Sequence, residues 1–236
     1  MKPVRIFRHI ECEGPGFLAD VLDELAVPYE IIAIDKNHPI PPSIADVSGL
    51  VFMGGPMSVN DPLPWIDQEC RLIRLAVAED IPVLGHCLGG QLISKALGGR
   101  VSANPVTEIG WLPVRGNAEE VAGDWLRDLP QEFVAFHWHG ETFSIPAGST
   151  PILESDFCPH QGFVTGNTLA LQCHIEMTAA MVVEWADLYR DELKQPSASI
   201  QSAQELVRDV EQRTQSLQQI ARVLYQRWLQ GVNCCA

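Results

Sequence analysis

The first hundred residues alternate short apolar runs with segments of helical periodicity. The runs that have the length of buried strands are 3–9, 29–34, 49–54 and 81–85. Between them, apolar residues recur at helical spacing within 15–27 and within 64–80, where Pro64 suits the first turn of a helix. Strands that alternate with helices are typical of a parallel α/β sheet, so this part of the chain predicts that fold class.

The rest of the chain predicts further strands and then helices. Runs that resemble strands or strand ends are 106–116, 133–140, 152–155 and 169–176. Helical periodicity follows in 178–193 and in 200–231, with Ser197 or Ser199 as a candidate cap and Gly231 as a candidate end. We expect one domain over 1–190 and a helical extension over 191–236 that packs on it. Whether the last helix also contacts a second copy of the chain stays open.

Composition and charge narrow the function classes. The chain has 236 residues and a formal net charge of −14, so a phosphate backbone would be repelled and nucleic acid is not expected as a partner. It has no apolar stretch of membrane-spanning length and no signal peptide pattern, which predicts a cytoplasmic protein without a membrane partner. Seven cysteines at irregular spacing indicate reduced thiols rather than a disulfide framework.

The segment 85-GHCLG-89 has a pattern that suits a nucleophile. It follows an apolar run and precedes a helical segment, which is the context in which G-x-S-x-G forms a nucleophile elbow. Small residues on both sides let Cys87 stand on a sharp turn, and the helix amino terminus favours a thiolate. The N–H of Leu88 could also stabilise an oxyanion. A buried cysteine in a glycine-rich turn remains the alternative.

Two other segments supply groups that such a thiolate needs. His174 and Glu176 lie two positions apart at the end of an apolar run, so they share one face of a strand, and the carboxylate can orient the imidazole. Gly54 and Gly55 follow another apolar run, where a glycine pair can leave a backbone N–H free to point into a site. A surface histidine and an ordinary β-turn are the alternatives.

Together these segments resemble the class I glutamine amidotransferase family, also called the triad type. The resemblance covers about residues 1–190 and rests on 85-GHCLGGQ-91, 53-MGGPMSV-59 and 172-QCHIE-176. The wording of 136-FHWHGETFSIPAGS-149 is closest to stand-alone members that are similar to the amidotransferase domain of GMP synthase. With the strand and helix pattern, it implies an α/β fold: a mostly parallel central sheet flanked by helices in a flavodoxin-like three-layer architecture.

The resemblance implies a role for each matching residue. Cys87 would be the nucleophile, His174 the general base and acid, and Glu176 the orienting carboxylate. The implied oxyanion donors are Gly55 and Leu88, and the implied substrate contacts are Gln91, His139 and Gly54. No cofactor is implied, and no metal is expected, because His9 with Cys12 and Cys158 with His160 lack the second pair that zinc requires.

Two departures from the family pattern concern geometry and recognition. Ile175 stands where the family usually has proline between histidine and glutamate, so we expect altered local geometry rather than lost activity. Glu141 stands where many members have aspartate, which leaves the recognition of the substrate open.

The predicted reaction is hydrolysis of a γ-glutamyl amide through a thioester, and three hypotheses remain for its use. The protein could release ammonia from glutamine for a synthase on a separate chain, because no P-loop or pyrophosphatase motif occurs in this one. It could instead be a γ-glutamyl peptidase or hydrolase that acts on small peptides or amines. A binding or regulatory module without turnover is the third hypothesis.

Overall fold

The computed structural model describes residues 1–117 and 124–234. The described strands form one sheet in the order β2-β1-β3-β4-β9-β8-β7-β5-β6. Their bounds are β1 Val4–Arg8, β2 Tyr29–Ala33, β3 Gly49–Phe52, β4 Val83–His86, β5 Val101–Gly116, β6 Glu132–Phe143, β7 Thr150–Glu154, β8 Gly162–Thr165 and β9 Thr168–Leu171. The helices used below are α1 Phe17–Glu24, α2 Pro64–Ala78, α3 Leu88–Ala96, α4 Ala179–Leu188, α5 Ala203–Val207 and α6 Val210–Cys234.

The sheet is parallel in one half and antiparallel in the other. Strands β2, β1, β3, β4 and β9 pair in parallel, and β9, β8, β7, β5 and β6 pair antiparallel. The predicted α/β fold is confirmed. The parallel half is the part that the alternation of apolar runs and helical segments predicted, because parallel strands need a crossover connection.

Helices cover both faces of the parallel half, which gives three layers. Alternate residues of each strand point to opposite faces, so Ile6 packs in one core and Phe7 in the other. The first core also contains apolar side chains of α1, α4, α5 and α6, and the second contains those of α2 and α3. Both faces are therefore apolar, which explains why these strands read as continuous apolar runs rather than as alternating ones.

The longest strand pair extends beyond the segments that periodicity indicated. Strand β5 begins at Val101 and pairs with β6 along most of its length. The register shifts between Ala103 and Glu108, after which Glu108 stands opposite His139. This irregularity has a consequence for the site, since it places a carboxylate directly beside a histidine of the neighbouring strand.

The carboxy-terminal helical segment differs from its predicted bounds. It is divided at Asp209, whose φ of 52° lies in the left-handed region, into the short α5 and the long α6. Ser202 caps α5 through a capping box with Glu205. The predicted caps Ser197 and Ser199 are wrong, because their hydroxyl groups lie 3.3 Å apart and contact each other before the helix begins.

Helix α6 continues through Gly231, so the predicted end at that glycine is also wrong. Trp228 and Val232 on either side of it are buried in the same core as α1 and α4. Their packing outweighs the cost of about 1 kcal/mol for an interior helical glycine. Because this core joins both parts of the chain, a boundary at residue 190 stays a prediction. None of the helices in the described ranges is long and apolar enough to cross a membrane.

The turn that joins β4 to α3 provides a test of the fold. A Cβ atom on Gly89 would stand 1.9 Å from the carbonyl oxygen of Phe52 in β3. We expect Gly89→Ala to lower the free energy of unfolding by about 3 kcal/mol, the upper end for overpacking, because a backbone group must move. Urea unfolding measures this change. Gly14→Ala is the control, since nothing lies within 4 Å of its added methyl group; equal midpoints for the two variants would contradict the packing described here.

Candidate active site

Cys87 stands on the turn between β4 and α3. Its φ of 50° and ψ of −106° lie outside the common regions for a residue with a side chain, which is a strained conformation. The N–H of Cys87 donates to the carbonyl oxygen of Leu171 at 2.8 Å, so the neighbouring strand β9 holds the turn. The thiol is 7% exposed and reaches the cavity described below.

His174 and Glu176 follow β9 and reach the same edge of the sheet. Strands β4 and β9 are parallel neighbours, so the chain leaves both of them on one side. His174 Nδ1 lies 2.6 Å from Glu176 Oε1, and both side chains are buried. Ile175 between them is fully buried in the core, so this residue keeps the His174–Glu176 hydrogen bond without the family's proline.

The charges of this pair stabilise each other. Burial opposes an imidazolium, but the Glu176 carboxylate and the Cys87 thiol together raise the pKa of His174 well above its ordinary value. Burial also favours a neutral Glu176, yet His86 and His174 lower the pKa of that carboxyl to about 2. Burial lowers the pKa of His86 itself, so His86 is neutral and the charge that keeps Glu176 ionised comes from His174.

A second contact reaches Glu176 from the carboxy-terminal helix. His86 Nε2 lies 3.0 Å from the hydroxyl of Tyr225 in α6 and 3.7 Å from Glu176 Oε2. His86 and Tyr225 are both fully buried. The last helix thus contributes a polar group behind the carboxylate, a contact that no local sequence pattern indicates.

The glycine pair after β3 lies beside the turn that carries Cys87. A Cβ atom on Gly55 would meet the side chain of Leu88 at 2.8 Å, so these two residues are direct neighbours. The N–H of Leu88 belongs to the first turn of α3, where the helix offers it no acceptor. The arrangement therefore puts the two predicted oxyanion donors at one corner of the site.

His9 holds this glycine loop in place, a role that the sequence did not indicate. His9 Nδ1 lies 3.0 Å from the carbonyl oxygen of Met53 and 3.2 Å from that of Gly54. Its Nε2 lies 3.0 Å from the buried carboxylate of Glu69 in α2. Burial opposes the charge, but Glu69 raises the pKa of His9, so the ring donates on both sides.

The three groups meet at a cavity of about 300 Å³. Gln91 lines it from α3 and donates to the side-chain oxygen of Gln172 at 3.3 Å. Glu141 lines it from β6 and accepts a hydrogen bond from the Ser58 hydroxyl at 3.1 Å. His139 also lines the cavity, whereas Gly54 lies behind its wall against Glu13 and His174.

His139 is held by groups from three segments. Its Nδ1 lies 3.0 Å from the Glu141 carbonyl oxygen, and its Nε2 lies 3.1 Å from the Glu108 carboxylate. Because both ring nitrogens have partners in the protein, the imidazole presents its carbon edge and shape to the cavity. His137 on the same strand is buried elsewhere, and burial lowers its pKa to about 3.

Glu108, His137 and His139 bring possible metal-ligating atoms within 4.8 Å of one another. The Glu108 carboxylate already accepts hydrogen bonds at 2.7 Å from both Ser155 and Gln161, in addition to its contact with His139. A carboxylate that is occupied by three protein donors has little remaining capacity for a cation. The cluster is better described as a network that fixes His139.

Glu13 is a further cavity residue that the sequence did not indicate. Its side chain is 7% exposed, and its Oε2 would stand 2.1 Å from a Cβ atom on Gly54. Only a glycine lets the carboxyl approach the loop so closely. Burial and the charge of Glu176 raise the pKa of Glu13 to about 7, although His174 opposes the shift.

The fold and this cavity define an α/β protein with a cysteine on a nucleophile elbow, and the comparisons agree with that class. The model of the family described as Glutamine amidotransferase class-I matches residues 16–181. The glutamine amidotransferase-like protein YfeJ of Salmonella typhimurium is 33% identical over 149 residues, which cover 61% of this chain and 62% of that protein. The match therefore spans less than two thirds of that relative's length.

Two further comparisons give the same result. One component of the glutamine-hydrolysing GMP synthase of Methanococcus maripaludis, a separate polypeptide of that enzyme, is 32% identical over 140 residues, which cover 58% of this chain and 67% of the relative. The crystal structure of a glutamine amidotransferase from Methylobacillus flagellatus superposes with a TM-score of 0.94 at 43% identity, covering 98% of this chain and 95% of that one. The chain belongs to the class-I glutamine amidotransferase family.

The charge coupling between His174 and Glu176 is testable without a substrate. We expect Glu176→Gln to lower the pKa of His174, because the amide keeps the shape of the carboxylate but removes its charge. An NMR titration of the imidazole resonances measures this change. Glu69→Gln is the matched control, because it removes a carboxylate that faces His9 instead. An unchanged His174 titration in Glu176→Gln would contradict the coupling.

The buried carboxyl of Glu13 predicts a dependence of stability on pH. Its pKa is near 4.5 in the unfolded chain and about 7 in the folded one, so the folded state binds the extra proton between these values. Stability from this group is therefore present below pH 4.5 and is lost as the pH rises through 7. At pH 8, Glu13→Gln should be more stable than the wild type by up to about 3 kcal/mol, and at pH 4.5 by little.

Urea unfolding at the two pH values measures this difference. Glu184→Gln is the control, because Glu184 is an exposed carboxylate on α4. The same stability difference between Glu13→Gln and the wild type at both pH values would show that Glu13 titrates normally.

Proposed function

We propose that this protein hydrolyses the amide bond of a γ-glutamyl group, with Cys87 as the nucleophile, His174 as the general base and acid, and Glu176 as the orienting carboxylate. The observation that carries the proposal is the 2.6 Å hydrogen bond between His174 and Glu176 beside a cysteine on a strained strand-helix turn. A nucleophile, a base and an orienting group in this order are the requirements of covalent acyl transfer.

The reaction proceeds in two halves. The Cys87 sulfur attacks the γ-carbonyl carbon, the carbon–nitrogen bond breaks, and His174 Nε2 gives its proton to the departing nitrogen. A water molecule then gives a proton to His174 and attacks the thioester, which releases glutamate and restores the thiol. The N–H groups of Gly55 and Leu88 stabilise the oxyanion that forms in each half. Glu176 stabilises the charged imidazole between the two proton transfers.

The glutamyl group occupies the part of the cavity lined by Gln91, Ser58 and Glu141. Gln91 offers an amide to the glutamyl chain, and the Ser58–Glu141 pair offers an acceptor for an α-ammonium group. His139 shapes this wall rather than bonding the substrate, and Gly54 acts through the room that it leaves beside Glu13 and His174.

The group that leaves distinguishes two versions of this function. In the first, glutamine loses ammonia, which a synthase on a separate chain consumes. The Methanococcus maripaludis relative supports this version, because its name describes it as one component of a glutamine-hydrolysing GMP synthase. In the second, a γ-glutamyl amine or peptide is cleaved without a partner. The acidic and aromatic lining of the cavity supports the second version.

The nucleophile assignment has a direct test. We expect Cys87→Ala to lower the release of glutamate from glutamine or γ-glutamyl amides by about 10³-fold or more, because the covalent intermediate cannot form. An electrophilic glutamine analogue should modify the wild-type protein at Cys87 alone, as measured by mass spectrometry.

Cys70→Ala is the matched control for this experiment. Cys70 lies outside the cavity, and burial raises the pKa of its thiol to about 11, so it should neither support catalysis nor react with the analogue. Full hydrolysis by Cys87→Ala would refute the mechanism. Absence of hydrolysis by the wild type on every γ-glutamyl substrate, with Cys87 unmodified, would refute the function.

A further inference from the structure

The cavity beside Cys87 has two chemically different sides. Gln91, Ser58 and Glu141 line one of them. The other side is formed by an aromatic and acidic group of residues, Glu13, Trp138, Trp185, Tyr189 and Glu192, which we call the aromatic wall.

His174 lies on the side of the aromatic wall. Its ring contacts the ring of Trp185 edge to face, with centroids 5.0 Å apart. His174 Cε1 and Glu13 Oε2 both lie close to Gly54, at 3.1 Å and 2.1 Å from the position of an added Cβ atom. Because the group that protonates the departing nitrogen must lie beside it, the aromatic wall surrounds the leaving group rather than the glutamyl chain.

The rings of the aromatic wall contact one another in a cluster. Trp138 lies 6.0 Å from Trp185 and 5.5 Å from Tyr189, and Trp185 lies 6.5 Å from Tyr189, measured between ring centroids. Trp138 and Tyr189 are partly exposed, so their rings are available to a bound molecule. Aromatic faces that meet in this way attract alkylammonium groups through cation–π interactions.

The carboxylates of the aromatic wall favour the same kind of ligand. Glu13 is more than nine-tenths buried, lines the cavity, and has no hydrogen bond or ion pair with any side chain in the described ranges. Glu192 stands at the exposed rim, where Trp138 Nε1 donates to it at 3.2 Å. A buried carboxyl without a partner is costly, and a cation in the cavity would supply the partner that the protein does not.

No positive side chain offsets these charges. Among the described residues that line the cavity there is neither a lysine nor an arginine, whereas Glu13, Glu141 and Glu192 are all acidic. An anionic leaving group, such as the amino acid released from a γ-glutamyl peptide, would meet repulsion on this side. Ammonia alone would leave the aromatic wall without a function.

We propose that the leaving group is a cationic amine: the substrate is the γ-glutamyl conjugate of an aliphatic diamine or polyamine, whose free ammonium group contacts Glu13, Glu192 and the rings of Trp138 and Tyr189. This inference rests on the proposed γ-glutamyl hydrolysis. The amide carbon–nitrogen bond breaks as the Cys87 thioester forms, His174 protonates the departing amine, and water cleaves the thioester to glutamate. No oxidant, reductant or second substrate besides water is needed.

The test compares leaving groups of equal length and different charge. The four substrates are the γ-glutamyl amides of 1,4-diaminobutane, n-butylamine and 4-aminobutanoate, with glutamine as the reference. We expect kcat/KM, measured as glutamate released, to be at least about tenfold higher for the cationic conjugate than for the neutral one, and lowest for the anionic one. A cation–π contact and a counter-charge together account for a factor of that size.

Variants of the aromatic wall identify the groups responsible. In Glu13→Gln and Glu192→Gln, we expect the ratio of kcat/KM between the cationic and neutral conjugates to fall several-fold towards one. Glu184→Gln, which removes an exposed charge from α4 outside the cavity, should keep the wild-type ratio. Thermal unfolding verifies that each variant is folded.

The outcomes separate this inference from the function on which it rests. Equal rates on the cationic and neutral conjugates, or hydrolysis of glutamine alone, would overturn the inference and leave γ-glutamyl hydrolysis standing. A loss in Glu13→Gln that is equal for both conjugates would show that Glu13 contacts the α-ammonium of the glutamyl group, which also overturns it. Absence of glutamate release from all four substrates would refute both.

Discussion

The parallel pairing of β4 with β9 is the constraint on which the candidate site depends. The two strands are far apart in the chain, yet Gly85 stands opposite Ala170 and His86 opposite Leu171. Since both strands end at the same edge of the sheet, the turn that carries Cys87 and the segment that carries His174 emerge side by side. The hydrogen bond from the Cys87 N–H to the Leu171 carbonyl extends this pairing into the turn itself. Any shift in this register would separate the two proposed catalytic groups.

Buried glutamate–histidine pairs hold the loops at this edge. Glu69 fixes His9 below the glycine loop, Glu108 fixes His139 in the wall, and Glu176 fixes His174 beside Cys87. Removing charged groups from water is expensive, and each pair offsets that cost only in one geometry. These pairs therefore give the loops a defined position. Glu13 lies among them without such a partner, which is why its carboxyl is the group best placed to meet a ligand.

The sequence predicted those parts of the site that follow local patterns. Cys87 stands between glycines after an apolar run, and Glu176 stands two positions after His174, so spacing alone indicated a nucleophile turn and an oriented imidazole. The partners that the sequence could not indicate are distant in the chain. His9 meets Glu69 across 60 positions, and His86 meets Tyr225 across 139. Neither pair has a periodicity or motif that would reveal it.

By itself, the sequence determined the fold class, the family and the order of the groups around Cys87. Apolar periodicity reports which elements are buried, and short motifs report the turns that a fold requires. The tertiary structure alone decided that half of the sheet is antiparallel, that α6 runs past Gly231, and that Glu13 lies against the glycine loop. These features depend on packing and on electrostatic contacts between distant segments, where burial energies outweigh the local preferences that a sequence pattern records.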